Sequence, residues 1–112
     1  LVAHNAGFDM AVLRRACEAT GDACAPRRYF CTLQLSRRVY ELDSYRLPFV
    51  AAEAGYGAFS HHDALADALA CAHIVVDSAA RHAARSLDEL AERTGVRVAV
   101  TDAVPPALLA VA

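Results

Sequence analysis

The chain has 112 residues, enough for one domain with a single hydrophobic core, and 56% of them are hydrophobic against 21% charged. These values exclude an intrinsically disordered chain, and no uninterrupted apolar run reaches the roughly 18 residues that a membrane span requires. The net charge of −2 provides no overall positive field, so any contact with nucleic acid must depend on a local arrangement of side chains.

The four cysteines contain no C-x-x-C pair, and the opening residues lack the pattern of a signal peptide. Cys17, Cys24, Cys31 and Cys71 therefore indicate neither a zinc site nor a disulfide framework, and a reducing cytoplasm is the expected location. The chain begins inside an apolar run that is typical of the middle of a strand. We therefore expect it to be a piece of a longer protein.

The first half of the chain predicts strands alternating with helices. Residues 1–4 are typical of the end of a buried strand, and a turn leads into a helix over about 7–20 that Gly21 ends. Residues 29–32 predict a short strand, followed by a helix over 33–40. A further helix over 44–54 tolerates Pro48 only in its first turn.

The longest predicted helix runs from about residue 63 to 84, because Ser60 and Asp63 form a capping pair and no Gly or Pro follows until Gly95. Its apolar residues form two neighbouring stripes, which predicts burial over most of its circumference. One stripe holds Leu65, Leu69, Ala72, Val76, Ala79 and Ala83, and the other holds Ala64, Cys71, Ile74 and Ser78. A capping box at Ser86 and Glu89 then predicts a helix over 87–94, and alternation over 96–100 predicts a strand.

Two carboxylates are predicted to point inward near helix starts. Asp9 heads a stripe with Val12, Leu13 and Ala16, and Asp67 lies on the second stripe of the long helix. A buried carboxylate is costly unless a cation or hydrogen-bond donors meet it, although Asp9 could also simply complement its helix dipole.

A histidine, His62, lies just ahead of the helix that carries Asp67. Together with the two acids it provides the parts of a metal-assisted hydrolase, since Mg²⁺ takes oxygen ligands and an imidazole can deprotonate a water near neutral pH. The alternative for His62 alone is a surface residue in an N-terminal turn.

These residues stand in motifs that resemble a known family. The segment HNAGFD at 4–9 resembles the second motif of the DEDDh-type 3′–5′ exonucleases, the family of the proofreading epsilon subunit of bacterial DNA polymerase III. The segment HDALADA at 62–68 resembles the third motif, His-x4-Asp. Segments CTL at 31–33 and SYRL at 44–47 are similar to those that bridge the two motifs, so the resemblance covers residues 1–84.

The resemblance implies an α/β fold of the RNase H-like type and a two-metal mechanism with Mg²⁺ or Mn²⁺. It implies that Asp9 and Asp67 hold metal and that His62 is the general base. His4, Asn5 and Phe8 would line the pocket for the 3′-terminal nucleotide, although Phe8 could instead anchor the core. The implied substrate is the 3′ end of a single nucleic-acid strand, with DNA favoured over RNA. The implied partner is a polymerase subunit.

One departure from the family pattern is large: the first motif, Asp-x-Glu on an opening strand, is missing from these residues. We therefore expect residues 1–84 to be the C-terminal part of an exonuclease domain without its opening strands, and 85–112 to be an extension with a short helix. Such a chain should cleave poorly. The alternatives are a catalytically inactive module that binds nucleic acid or protein, and an HD-type phosphohydrolase built on His62 and Asp63, which would need further ligands.

Overall fold

The computed structural model describes residues 1–57 and 63–106, and within them three short strands form one sheet in the order β1-β2-β3. β1 (Val2–Ala3) runs parallel to β2 (Arg28–Cys31), with Val2 opposite Phe30. β3 (Ala99–Val100) pairs antiparallel with β2. The predicted sharing of one sheet by the first two strands is confirmed, whereas the strand predicted over 96–100 is limited to its last two residues.

Five helices accompany the sheet in the described residues, and the structure is therefore α/β, as predicted. They are α1 (Ala6–Thr20), α2 (Thr32–Val39), α3 (Leu47–Glu53), α4 (Ala64–Arg81) and α5 (Leu87–Thr94). The prediction for α3 began three residues too early. A helix that began at Ser44 would need Pro48 to donate to the Ser44 carbonyl, and proline has no N–H. Arg46 is instead extended, with φ −64° and ψ 146°, and Pro48 lies in the first turn of the helix.

The ends of α4 depend on two backbone features. Asp63 is its N-cap and accepts a 3.0 Å hydrogen bond from the Ala66 amide, whereas Ser60, the other half of the predicted capping pair, lies outside the described residues. At the other end Ala83 adopts φ 51°, and the Ala84 amide donates to the Ala79 carbonyl at 2.9 Å. This left-handed turn ends the helix three residues before the predicted position, without the glycine that usually signals it.

The core lies where α4 packs against α2, α3 and β1. Its most buried large side chains come from five different elements and have no exposed surface: Phe30, Leu35, Val50, Ile74 and Leu90. Leu90 belongs to α5, so this helix packs into the same core. The division of the chain at residue 84 stays a prediction.

Only one face of α4 is buried, so the prediction of burial over most of its circumference is wrong. Ile74 and Ser78 have no exposed surface and Cys71 is 5% exposed, whereas Leu65 and Val76 are 69% and 68% exposed. Both stripes are apolar, and the sequence alone could not show which one the neighbouring helices cover.

The stripe predicted for α1 is also wrong. Asp9, Val12, Leu13 and Ala16 are exposed, and the helix instead turns Ala6 and Cys17 inward. These two residues are eleven positions apart, which is about three helical turns and places them on one face. That face packs against β1 and β2.

A disulfide joins Cys17, near the end of α1, to Cys24. The expectation that the cysteines form no disulfide is therefore wrong for this pair, while Cys31 and Cys71 are free and buried. No helix of the described residues is long and apolar enough to cross a membrane. The expected cytoplasmic location stays a prediction.

Candidate functional site

Both acids that the sequence singles out line one open cleft of about 550 Å³. Asp9 lies in the first turn of α1 and Asp67 in the first turn of α4. The cleft forms where the carboxyl end of β1 meets the starts of α3 and α4, which is the usual place for ligand sites in α/β folds. The other described residues that line it are Val2, Ala3, His4, Arg46, Leu47, Pro48, Ala64, Ala68 and Cys71.

A sharp turn at Asn5 places Asp9 beside the strand end. Asn5 adopts a left-handed conformation with φ 66°, which Asn tolerates better than most residues, and the Phe8 amide donates to its carbonyl at 3.0 Å. The chain therefore passes from β1 into α1 in two residues. As a result, the first turn of α1 stands directly over the carboxyl end of β1.

Both ring nitrogens of His4 take part in hydrogen bonds. Nε2 lies 2.7 Å from the Tyr45 carbonyl oxygen and must donate to it, so Nδ1 of the neutral ring accepts from the Thr32 hydroxyl at 2.9 Å. Burial lowers the pKa of His4, and the charge of Arg37 lowers it further, against the opposing effects of the Tyr45 bond and of Asp9. His4 is therefore a neutral residue whose hydrogen bonds connect the end of β1 to α2 and to the segment before α3.

Cys71 forms part of the cleft wall one helical turn after Asp67. Its thiol lies 3.8 Å from the Thr32 hydroxyl, and burial raises its pKa, so it is a neutral group. The sequence pattern predicted only that Cys71 is buried on one stripe of the long helix. Its place in the cleft depends on the packing of α4 against β1, which no local pattern reports.

The remaining predicted site residues are not all brought together. Phe8 is 68% exposed, so the alternative that it anchors the core is wrong. Neither Phe8 nor Asn5 is among the described residues that line the cleft, although both lie within four residues of Asp9. His62, the predicted general base, lies outside the described residues.

Arg46 is the charged residue of the cleft that the sequence did not identify. It is exposed, is the N-cap of α3 and lines the cleft together with Asp9 and Asp67. The signal was present in the segment SYRL at 44–47, but that segment indicated only a link between two motifs. A cation there brings positive charge next to two carboxylates.

The donor chemistry of Asp9 and Asp67 is that of a site for Mg²⁺ or Mn²⁺, because both supply hard carboxylate oxygens. Within residues 1–57 and 63–106, however, no group of three or more His, Cys, Asp or Glu could hold a metal ion. The described residues of the cleft therefore supply ligands of a suitable type, but too few of them for a complete metal site.

Comparison with known proteins identifies the family. The family model described as Exonuclease matches residues 1–75, which is more than half of the chain and includes both acids. The chain belongs to the exonuclease family. The resemblance that the two motifs indicated is thus confirmed.

Two curated relatives of this exonuclease-family chain are both named DNA polymerase III PolC-type. The protein from Thermotoga maritima is 39% identical over 74 residues, and that from Thermotoga petrophila is 38% identical over 74 residues. Each match covers 66% of this chain, and the chain spans only 5% of the length of either relative. No solved structure matches the chain at a significant level.

Proposed function

We propose that this chain carries part of the active site of a 3′–5′ exonuclease of the DNA polymerase III type, within a partial RNase H-like fold. The observation that supports this most directly is that Asp9 and Asp67, from two helices 58 positions apart in sequence, line one cleft. Membership of the exonuclease family and the similarity to two PolC-type relatives also support an exonuclease activity. The proposed substrate is the 3′ end of a single nucleic-acid strand, with DNA favoured over RNA, and the proposed partner is a polymerase.

In this proposal Asp9 and Asp67 bind the divalent cations. Two Mg²⁺ or Mn²⁺ ions, when bound, would hold the attacking water and the leaving oxygen of the phosphodiester. His62 would take the proton from that water as general base. His4, Asn5 and Phe8 would line the pocket for the terminal nucleotide, and the exposed ring of Phe8 is available for stacking on a base or sugar.

Asp67 has a well-packed helix as its support. Asp67 stands on α4, whose start is fixed by the Asp63 cap and whose buried face packs into the core. Its own amide donates to the Asp63 carbonyl at 2.9 Å, the first hydrogen bond of the helix. Catalytic groups on packed helices keep their geometry better than groups on loops, so this placement favours a role in chemistry.

A catalytically inactive binding module is the second candidate. It is favoured by one observation, that Asp9 and Asp67 are the only acids among the described residues that line the cleft. Such a module would hold a nucleic acid or a protein without hydrolysis. The two candidates differ in whether substitution of Asp67 changes a rate or only an affinity.

The test uses a catalytically active form of the protein and single-stranded DNA labelled at its 3′ end. We expect His62→Ala to lower kcat by about 10² to 10⁴ while metal and substrate affinity change little, because a general base acts in the transition state. Asp67→Asn should abolish metal-dependent cleavage. A time course with Mg²⁺ gives the rates, and His73→Ala, at an exposed position of α4, is the matched control.

An unchanged rate in His62→Ala would require another residue to act as the base. Full activity in Asp67→Asn would show that the cleft is not the metal site. Normal binding of the labelled strand with no metal-dependent cleavage in any variant would favour the inactive binding module.

A further inference from the structure

A second groove of about 350 Å³ adjoins the cleft that holds Asp9 and Asp67. Its described lining residues are His4, Leu33, Arg37, Tyr45 and Arg46. His4 and Arg46 also line the cleft, so the groove and the cleft share a wall and form one continuous surface. We call this second surface the arginine groove.

The two arginines of the groove have no carboxylate partner in the described part of the chain. Ion pairs occupy Arg14, Arg28, Arg81 and Arg93, and none of the ion pairs among the described residues includes Arg37 or Arg46. Both side chains belong to exposed residues. Their guanidinium groups therefore keep their hydrogen-bond donors available for an anion.

The groove is positive on balance, because no acidic residue is among its described lining residues. Burial is the main cause of the lowered pKa of His4 and the charge of Arg37 lowers it further, so His4 adds no charge of its own to the groove at neutral pH. In a chain whose net charge is −2, two unpaired cations facing one groove form a local positive field.

We propose that Arg37 and Arg46 bind backbone phosphates of the substrate strand as it leaves the cleft. A guanidinium group presents planar paired donors that match a phosphate, and Leu33 and Tyr45 supply an apolar wall against which a sugar or base can lie. Arg46, at the shared wall, would hold the phosphate next to the reacting end, and Arg37 one farther along. The arginine groove thus gives the strand a direction.

This inference rests on the proposed function, because the cleft supplies the end point of the strand. It adds a set of contacts that is independent of metal. Contacts to phosphate carry no base information, so the groove should accept single-stranded DNA of any sequence and use charge to position it.

The test measures binding without chemistry. A short fluorescein-labelled oligothymidylate is titrated with the 112-residue chain in EDTA, and anisotropy is recorded over a series of KCl concentrations. Arg46→Gln and Arg37→Gln should each weaken binding about three- to tenfold at about 0.1 M salt, with the plot of log K against log salt flatter by about 0.7 for each lost phosphate contact. Arg38→Gln is the matched control, since Arg38 neighbours Arg37 on α2, is exposed and is not a described lining residue of the groove.

A salt dependence in Arg46→Gln and Arg37→Gln equal to that of Arg38→Gln would overturn the inference, and so would the absence of binding by the unaltered chain. The readout separates this inference from the proposed function. If the arginine variants lose affinity but no metal-dependent cleavage exists, the groove stands and the exonuclease proposal falls. If cleavage depends on Asp67 but the arginine variants bind normally, only the groove falls. Unchanged thermal unfolding of the variants shows that they fold.

Discussion

At the residue scale, His4 illustrates what local sequence can and cannot predict. Its place in the HNAGFD segment implied that it lines the pocket for the terminal nucleotide, and His4 and Asp9 line the same cleft. Its partners could not be predicted, because Thr32 and Tyr45 are 28 and 41 positions away and become neighbours only when α2 packs on β1 and the segment before α3 reaches His4. Long-range partners of this kind decide whether a histidine has a ring nitrogen free to accept a proton or, like His4, has both ring nitrogens in hydrogen bonds within the fold.

Replacement of His4 should change the response of stability to pH. Folding lowers the pKa of His4 below its ordinary value of 6.5, so the unfolded chain binds the proton more tightly and the free energy of unfolding falls as the pH drops below about 6.5. His4→Gln should lose about 1–2 kcal/mol at neutral pH through its missing hydrogen bonds, but should lose less on acidification. Urea unfolding at about pH 7.5 and about pH 5.5 gives both values.

The control for this experiment is His73→Gln, at an exposed position of α4. This variant removes a histidine ring that stacks on Tyr56, so it controls for the loss of a histidine contact away from the cleft. Equal losses on acidification in the unaltered chain and in His4→Gln would show that His4 does not contribute to the acid sensitivity.

At the element scale, the helices could be predicted in number and approximate position, but their buried faces could not. In α4 the absence of Gly and Pro indicated a long helix, and the capping oxygen of Asp63 is where a helix start was expected. Both stripes, however, consist mainly of apolar and small residues, so periodicity gives little contrast between them. The face against α2 and α3 is buried because of tertiary packing.

Two alanine substitutions on α4 distinguish its faces. Ile74→Ala should cost about 2–5 kcal/mol of unfolding free energy, because Ile74 has no exposed surface and its truncation leaves a cavity. Val76→Ala, at a position that is 68% exposed, should change the unfolding free energy by no more than about 0.5 kcal/mol. Urea denaturation measures both. Similar costs at the two positions would mean that the exposed stripe is covered in solution.

At the scale of the whole molecule, the alternation of strand and helix patterns predicted an α/β domain, and the register of β1 against β2 agrees with it. The place of β3 was beyond prediction, since its partner residues, such as Arg28 and Val100, are 72 positions apart. The pairing of Cys17 with Cys24 was missed for a related reason, because spacing rules do not show how the chain turns after α1. Local patterns thus predicted the elements, and their assembly determined the site.

The arrangement of the sheet also bears on activity. Two divalent cations bring about four positive charges into one site, whereas the described cleft offers the two carboxylates of Asp9 and Asp67. β1 lies at the edge of the described sheet, next to the cleft, so a further strand could pair there and add acidic ligands. We therefore expect the 112-residue chain alone to show little nuclease activity with Mg²⁺ or Mn²⁺.

Activity should rise when a segment that carries Asp-x-Glu is supplied ahead of Leu1, because fixed carboxylates would then offset the repulsion between the cations and position them for in-line attack. The phosphate of the substrate can supply part of the negative charge, but it cannot hold the cations in place before the substrate binds. A time course on single-stranded DNA labelled at its 3′ end compares the 112-residue chain, the extended chain and the extended chain with Asp67→Asn. Robust cleavage by the 112-residue chain would contradict the need for further carboxylates, and an inactive extended chain would favour the binding module.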